Sequence, residues 1–245
     1  MGFYSDRMII RSYDIDQSRQ LRLSSLLKIQ QEIGELHLRA IGLPHDFMVD
    51  ELGLAFVFTR LNSVIYRRPR MGEEVKASTW CPGVRGLTFY RCYRLEDKEG
   101  NILIDSMASV VTVDAKEHKI KRPESIPCFS EFEYRPDIAS TCQKPEKIKL
   151  PDTFDAEFTR QVMYSDTDFN MHLNNTVYAD IICDYMPGGM AGKEIGFFSL
   201  SFISEAREGQ VLKILAAKRD EGAYFAGECE GRRCFEAFCR FKGSE

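Results

Sequence analysis

Apolar side chains in residues 24–41 recur at three- and four-residue steps, at Leu26, Ile29, Ile33, Leu36 and Ala40, while Lys28, Glu32, Glu35 and Arg39 fall elsewhere around the turn. That spacing predicts an amphipathic helix with one face toward a core, and Gly42 supplies its stop signal. After Gly42 the period shortens to that of strands. Alternating or β-rich runs at 55–66, 75–81, 88–96 and 102–114 predict four strands, with 98–101 a turn between the last two. The order then repeats: 158–164 reads as a strand, Asn174 or Asn175 can cap a helix carrying Tyr178, Ile181, Ile182, Tyr185 and Met186, and Pro187-Gly188-Gly189 ends it. Strands are expected near 195–205, 211–219, 223–230 and 234–241.

Between the halves, Pro123, Pro127, Pro136, Pro145 and Pro151 oppose regular structure, so this stretch reads as a linker running over the surface. The expected organisation is a first domain at 1–122, a linker at 123–152 and a second domain at 153–245. A repeat underlies it. Asp14-Ile15-Asp16-Gln17-Ser18-Arg19-Gln20-Leu21 aligns with Asp166-Thr167-Asp168-Phe169-Asn170-Met171-His172-Leu173 at a shift of 152, and Arg68 to Gly72 aligns with Glu205 to Gly209 at a shift of 137. The first half thus has about fifteen extra residues, matching 43–53. Two copies of one helix against an antiparallel sheet predict two similar α+β units, because each sheet needs its apolar face covered.

Composition narrows the function classes. The 245 residues carry 44% hydrophobic and 29% charged side chains with a formal net charge of -4, which suits a globular chain and gives no support to a nucleic-acid or anionic-membrane partner. Apolar runs fall short of the ~20 residues of a spanning helix, and the N-terminal residues lack the apolar stretch of a signal peptide, so a cytoplasmic protein is expected. The eight cysteines form no C-x-x-C pair and read as reduced, buried thiols. His37, His45, His118 and His172 are scattered, so no metal site is expected.

Chemistry concentrates in residues 164–178, where two acids, a histidine and three amides enter a helix. Polar residues there commonly serve as caps, but a cap does not require His172, whose imidazole titrates near neutrality. The run Asp168-x-Asn170-x-His172-x-Asn174-Asn175-x-x-Tyr178 resembles the motif of plant-type and bacterial acyl-ACP thioesterases. Residues 200–206, ending in Glu205-Ala206, resemble the family's next strand, and 68–75 with Trp80 and Gly86 resemble its first half. The resemblance extends over roughly residues 7–241 and implies a tandem pair of hotdog domains, each an antiparallel sheet wrapped around one long helix.

By this resemblance Asp168, Asn170, His172 and Glu205 form the catalytic set for hydrolysis of a fatty acyl thioester on acyl carrier protein, with no cofactor and no metal. Plant members often have cysteine where this chain has Ala206, so no Cys-His nucleophile is expected. Either Glu205 or Asp168 activates water, or a carboxylate attacks directly to give an anhydride, and both routes remain open. The start of the second helix is expected to direct N–H groups toward the developing oxyanion. The first half has Ser18, Gln20 and Arg68 at the positions of Asn170, His172 and Glu205, so one site per chain follows. The first domain is expected to bind substrate: Ile33, Leu36, Phe56 and Phe58 along an acyl channel, and Arg67, Arg68 and Arg70 on a basic surface for the carrier. Neither nucleic acid nor membrane is an expected partner, and a homodimer is left open. The rival readings are an acyl-CoA thioesterase or hydratase on the same fold and a non-catalytic acyl-binding module.

Overall fold

The computed structural model describes residues 2–127 and 129–243. They divide into two compact units, one of the residues up to Arg22 with Lys28–Pro145, the other of Leu23–Leu27 with residues from Glu146 onward.

The first unit contains strands β1 (Phe3–Ile9), β2 (Leu54–Ile65), β3 (Glu74–Arg85), β4 (Thr88–Glu96), β5 (Ile102–Asp114) and the short β6 (Ile120–Lys121), with helix α1 (Leu23–Ala40) from Lys28 onward. The strands are antiparallel in the order β1-β3-β4-β5-β2, with β6 on β5. Side chains opposite one another in neighbouring strands share a face, and one such row is Tyr4, Thr79, Tyr93, Ser106 and Ser63. This row faces α1: Tyr4 stacks on His37 at 6.3 Å, and Gln30 Nε2 donates to Ser106 Oγ at 2.9 Å. Ser106 passes the chain on to Ser63 at 2.8 Å, so these buried hydroxyls are partnered within an otherwise apolar interior.

The proline-rich stretch does more than cross the surface. Ile138 and Cys142 join Trp80, Cys92 and Met107 on the sheet's other face, while Phe129 and Phe132 pack on Phe89, which shares the face of Tyr93. The fully buried Asp105 accepts from Arg94 at 3.0 Å and from the Thr141 backbone at 2.7 Å, while Arg94 also donates to the Ala139 carbonyl and lies over the Trp80 ring. A buried carboxylate needs such donors to offset its lost hydration.

The second unit contains β7 (Ala156–Gln161), helix α2 (Val177–Asp184), β8 (Ile195–Phe202), β9 (Val211–Arg219), β10 (Gly222–Cys229) and β11 (Arg232–Phe241), in the antiparallel order β8-β11-β10-β9-β7. Ala179, Ile181 and Ile182 of α2 are fully buried with Phe198, Leu200, Phe225 and Phe235 of the sheet. Tyr178 rests on Phe202 and Phe235, at ring distances of 5.9 and 4.9 Å. Gly227 makes this packing possible, since a Cβ there would lie 2.0 Å from the Phe235 ring. Helix α2 is shorter than the periodicity of 174–186 suggests, because residues 174–176 form a turn before it and residues 186–189 form another after it.

Candidate active site

Strand β7 does not continue to Tyr164 as the alternation predicts. A buried carboxylate ends it: Asp166 accepts the Met163 N–H at 3.0 Å and Arg160 Nη2 at 2.6 Å, folding Tyr164–Asp166 into a single 3-10 turn. The Asp166 carbonyl then accepts Asn174 N–H, so the same residue closes both ends of the loop. Within it, Asp168 N–H donates to the His172 carbonyl and Met171 N–H to the Asp168 carbonyl, with Met171 in the left-handed region at φ 61°. Leu173 N–H bonds the Ala206 carbonyl and His172 bridges Arg207, which ties the loop to the segment after β8. That segment leaves the sheet at Phe202, where Ile203 and Ser204 N–H both turn to the Cys234 carbonyl, and Glu205 follows.

Three of the four expected residues converge. His172 Nδ1 lies 3.7 Å from Asp168 Oδ1, and its Nε2 lies 3.9 Å from Glu205 Oε1, so the imidazole stands between two carboxylates. Both distances exceed direct hydrogen bonding, and catalytic contacts commonly tighten only when substrate binds. Asp168 is the more enclosed acid, with 13% side-chain exposure against 37% for Glu205, and its Oδ1 accepts the Asn170 N–H at 2.9 Å. Glu205 has Arg207 Nη2 at 3.4 Å on its other oxygen. Asn170 is exposed and joins the group through its backbone. At the start of α2, Thr176 N–H is bonded to Asn174 Oδ1 and Val177 N–H to the Asn174 carbonyl, leaving fewer helix donors for an oxyanion than the dipole argument expects.

Sequence reasoning did not single out Arg160, Asp166 or Arg207. Asp166 was legible as the first acid of the repeat, but Arg160 six residues earlier gave no periodic signal. A thiol nucleophile finds no support at Cys229, since burial pushes its pKa up to about 11.

The expected substrate residues lie in the first unit. Ile33 is buried beside a cavity of only about 10 Å³, room for one water molecule, lined also by Gln30, Ser78 and Tyr93. Phe56 packs edge-on to Phe89 at 5.6 Å, while Leu36 and Phe58 are half-buried. Arg67 is held by Glu73 through two hydrogen bonds and Arg68 by Asp16 at 2.5 Å, so both guanidinium groups are engaged within the unit, while Arg70 is exposed.

Two units, each with antiparallel strands and one helix, and an imidazole placed between the acid of its own loop and a second acid from the segment after β8 define tandem hotdog-type units with one differentiated site. The family models for the N-terminal and C-terminal domains of acyl-ACP thioesterase match residues 2–126 and 151–232, and the chain belongs to this family. It is similar to oleoyl-acyl carrier protein thioesterase 1, chloroplastic, of Arabidopsis thaliana, 19% identical with 89% of this chain and 64% of that protein covered. It is also similar to palmitoyl-acyl carrier protein thioesterase, chloroplastic, of Gossypium hirsutum, 26% identical over 92% of this chain and 58% of that protein. The chain thus spans about three-fifths of the length of these curated relatives. Among solved structures, an acyl-ACP thioesterase from Bacteroides thetaiotaomicron superposes with a TM-score of 0.87, at 20% identity and 98% coverage of both chains. The 12:0-ACP thioesterase from Umbellularia californica gives 0.83 at 20% identity, covering 98% of this chain and 97% of that one.

Proposed function

We propose that the chain hydrolyses fatty acyl thioesters carried on acyl carrier protein, releasing the free acid and the carrier thiol. The observation that carries this reading is the placement of His172 between Asp168 and Glu205, in a chain whose two halves match the two domains of the family. Thioester hydrolysis needs a nucleophile at the carbonyl carbon and a donor for the charge that builds on its oxygen. Glu205, the more exposed carboxylate, meets the substrate; it activates water through its Oε1 or attacks directly. His172 relays the proton and is oriented by Asp168, which the loop holds in place. Asn170, exposed at the rim, donates its side-chain amide to the carbonyl oxygen.

The first unit supplies acyl selectivity in this reading. Discrimination per methylene is only about 1–3 kcal/mol, so chain length is set by where bulky side chains close the channel. Ile33, Leu36, Phe56 and Phe58 are the proposed determinants, and an acyl chain reaching Ile33 must open the cavity there. A reducing, cytoplasmic setting suits the seven described cysteines, which carry free thiols. The test is direct: incubation with one acyl chain presented on carrier protein and on coenzyme A, with released acid and thiol measured. Preferential release from the carrier supports the reading. Preferential release from coenzyme A reassigns the donor, and release from neither overturns hydrolysis.

A further inference from the structure

The loop at residues 11–22 keeps the backbone of the candidate site but reverses its charge. Residues 11–22 with 67–73 contain six arginines, Arg11, Arg19, Arg22, Arg67, Arg68 and Arg70, against Asp14, Asp16 and Glu73. The corresponding 163–174 with 204–210 contain Arg207 alone against Asp166, Asp168, Glu205 and Glu208. Arg67 and Arg68 spend their charge on Glu73 and Asp16. Arg11, Arg19, Arg22 and Arg70 are exposed, and among the described residues none has a carboxylate within ion-pair distance.

These four sit on one scaffold. Arg11 carbonyl accepts Asp14 N–H, Arg22 N–H donates to the Asp14 carbonyl, Arg19 occupies the loop's left-handed position at φ 59°, and Gln20 bridges Arg70. Three of their counterparts are uncharged: Met163, Met171 and Asn174. The two methionines are exposed as well, so exposure does not by itself select arginine at these positions. In a chain of net charge -4, a local excess of unmatched guanidinium groups fits a partner that brings carboxylates.

We propose that the 11–22 loop is the docking surface for an acidic protein, the acyl carrier itself, with Arg11, Arg19, Arg22 and Arg70 meeting its carboxylates. The identity of the partner rests on the function proposed above. Rim charges of this kind act mainly on encounter rate and salt dependence, which gives the test its readout. Labelled holo carrier protein is titrated by anisotropy against the full chain, against Arg11→Gln/Arg19→Gln/Arg70→Gln and against the matching triple lysine variant, each checked for native thermal unfolding. Arg22 is left in place because its Nε also holds the Ile15 carbonyl. Binding about tenfold weaker in the glutamine variant, with a flatter salt dependence, and within about twofold of native in the lysine variant is expected. Native affinity in the glutamine variant overturns the proposal, as does a native chain that fails to bind the carrier or prefers anionic vesicles or duplex DNA. Because binding is read without turnover, carrier binding through these arginines with no acid released removes the hydrolysis reading alone. Hydrolysis with binding unaffected by the glutamines removes the docking surface alone.

Discussion

The loops at 11–22 and 163–174 share one backbone and differ in the side chains it carries. In each, an aspartate carboxylate folds a 3-10 turn, through Arg11 N–H at 2.9 Å in the first and Met163 N–H at 3.0 Å in the second. In each, a second aspartate accepts the N–H two residues on, Ser18 at 2.8 Å and Asn170 at 2.9 Å, and a left-handed residue follows at Arg19 or Met171. The bridges Ile15 to Leu21 and Gln20 to Arg70 recur as Thr167 to Leu173 and His172 to Arg207. What differs is side chains. Arg68 reaches across and neutralises Asp16, whereas Glu205 at the matching place faces His172 and leaves Asp168 on the imidazole's other side. Main-chain hydrogen bonding builds the cradle, and one charge reversal decides whether an arginine closes on its aspartate or a second carboxylate faces an imidazole.

The largest expected effect comes from removing what the first loop lacks. Glu205→Ala should lower turnover on acyl carrier protein by about 100-fold or more, as losing a general base or a nucleophile does, while acyl binding changes far less. Steady-state rates with a separate binding measurement check this. Arg68→Ala in the other loop should leave turnover within about twofold.

A middling effect is expected at Asp166. Its carboxylate has lost most of its hydration and is satisfied by Arg160 and Met163 N–H, so Asp166→Ala leaves a half-buried guanidinium without its partner. A loss of about 1–3 kcal/mol in urea unfolding is expected, with turnover falling as the loop loosens. Asp14→Ala, which strands no arginine, should cost less.

The smallest effect is a pH dependence. Burial works against ionisation of Asp16, but hydrogen bonds from Ser18 and Arg68 outweigh it and hold the carboxyl below its ordinary value of 3.8. The sign follows from linkage: a depressed folded-state pKa adds stability that is present above pH 3.8 and fades as pH falls through the folded value. The side chain is 29% exposed, so the contribution is below about 1 kcal/mol after solvent screening. Melting temperatures of native and Asp16→Asn chains should therefore differ at neutral pH and converge on acidification. A constant difference would contradict the Arg68 pairing.

Much of this was legible from periodicity. The strands at 88–96, 102–114 and 211–219 fall where alternation places them, and α1 lies one residue earlier than its apolar stripe suggests. Boundaries moved where a distant group intervenes: β7 stops at Gln161 because Asp166 takes Met163 N–H, and β8 stops at Phe202 because Cys234 takes two N–H groups. Alternation records neither event. The convergence of Asp168, His172 and Glu205 was likewise beyond spacing alone, since Glu205 lies a helix and a strand away from His172. The resemblance named these residues, and the fold supplies their distances. The internal engagement of Arg68 was hidden for the same reason, Asp16 being 52 residues away.

In the proposed reaction the second loop does the chemistry and the first does not, and matched variants at His172 and Gln20 separate the two. Single-turnover hydrolysis of acyl carrier protein thioester is measured for His172→Ala and Gln20→Ala under identical conditions, with both chains confirmed folded. A loss of about 100-fold or more is expected for His172→Ala, with Gln20→Ala within about twofold of native. Equal rates in the two variants, or a greater loss at Gln20, would contradict it.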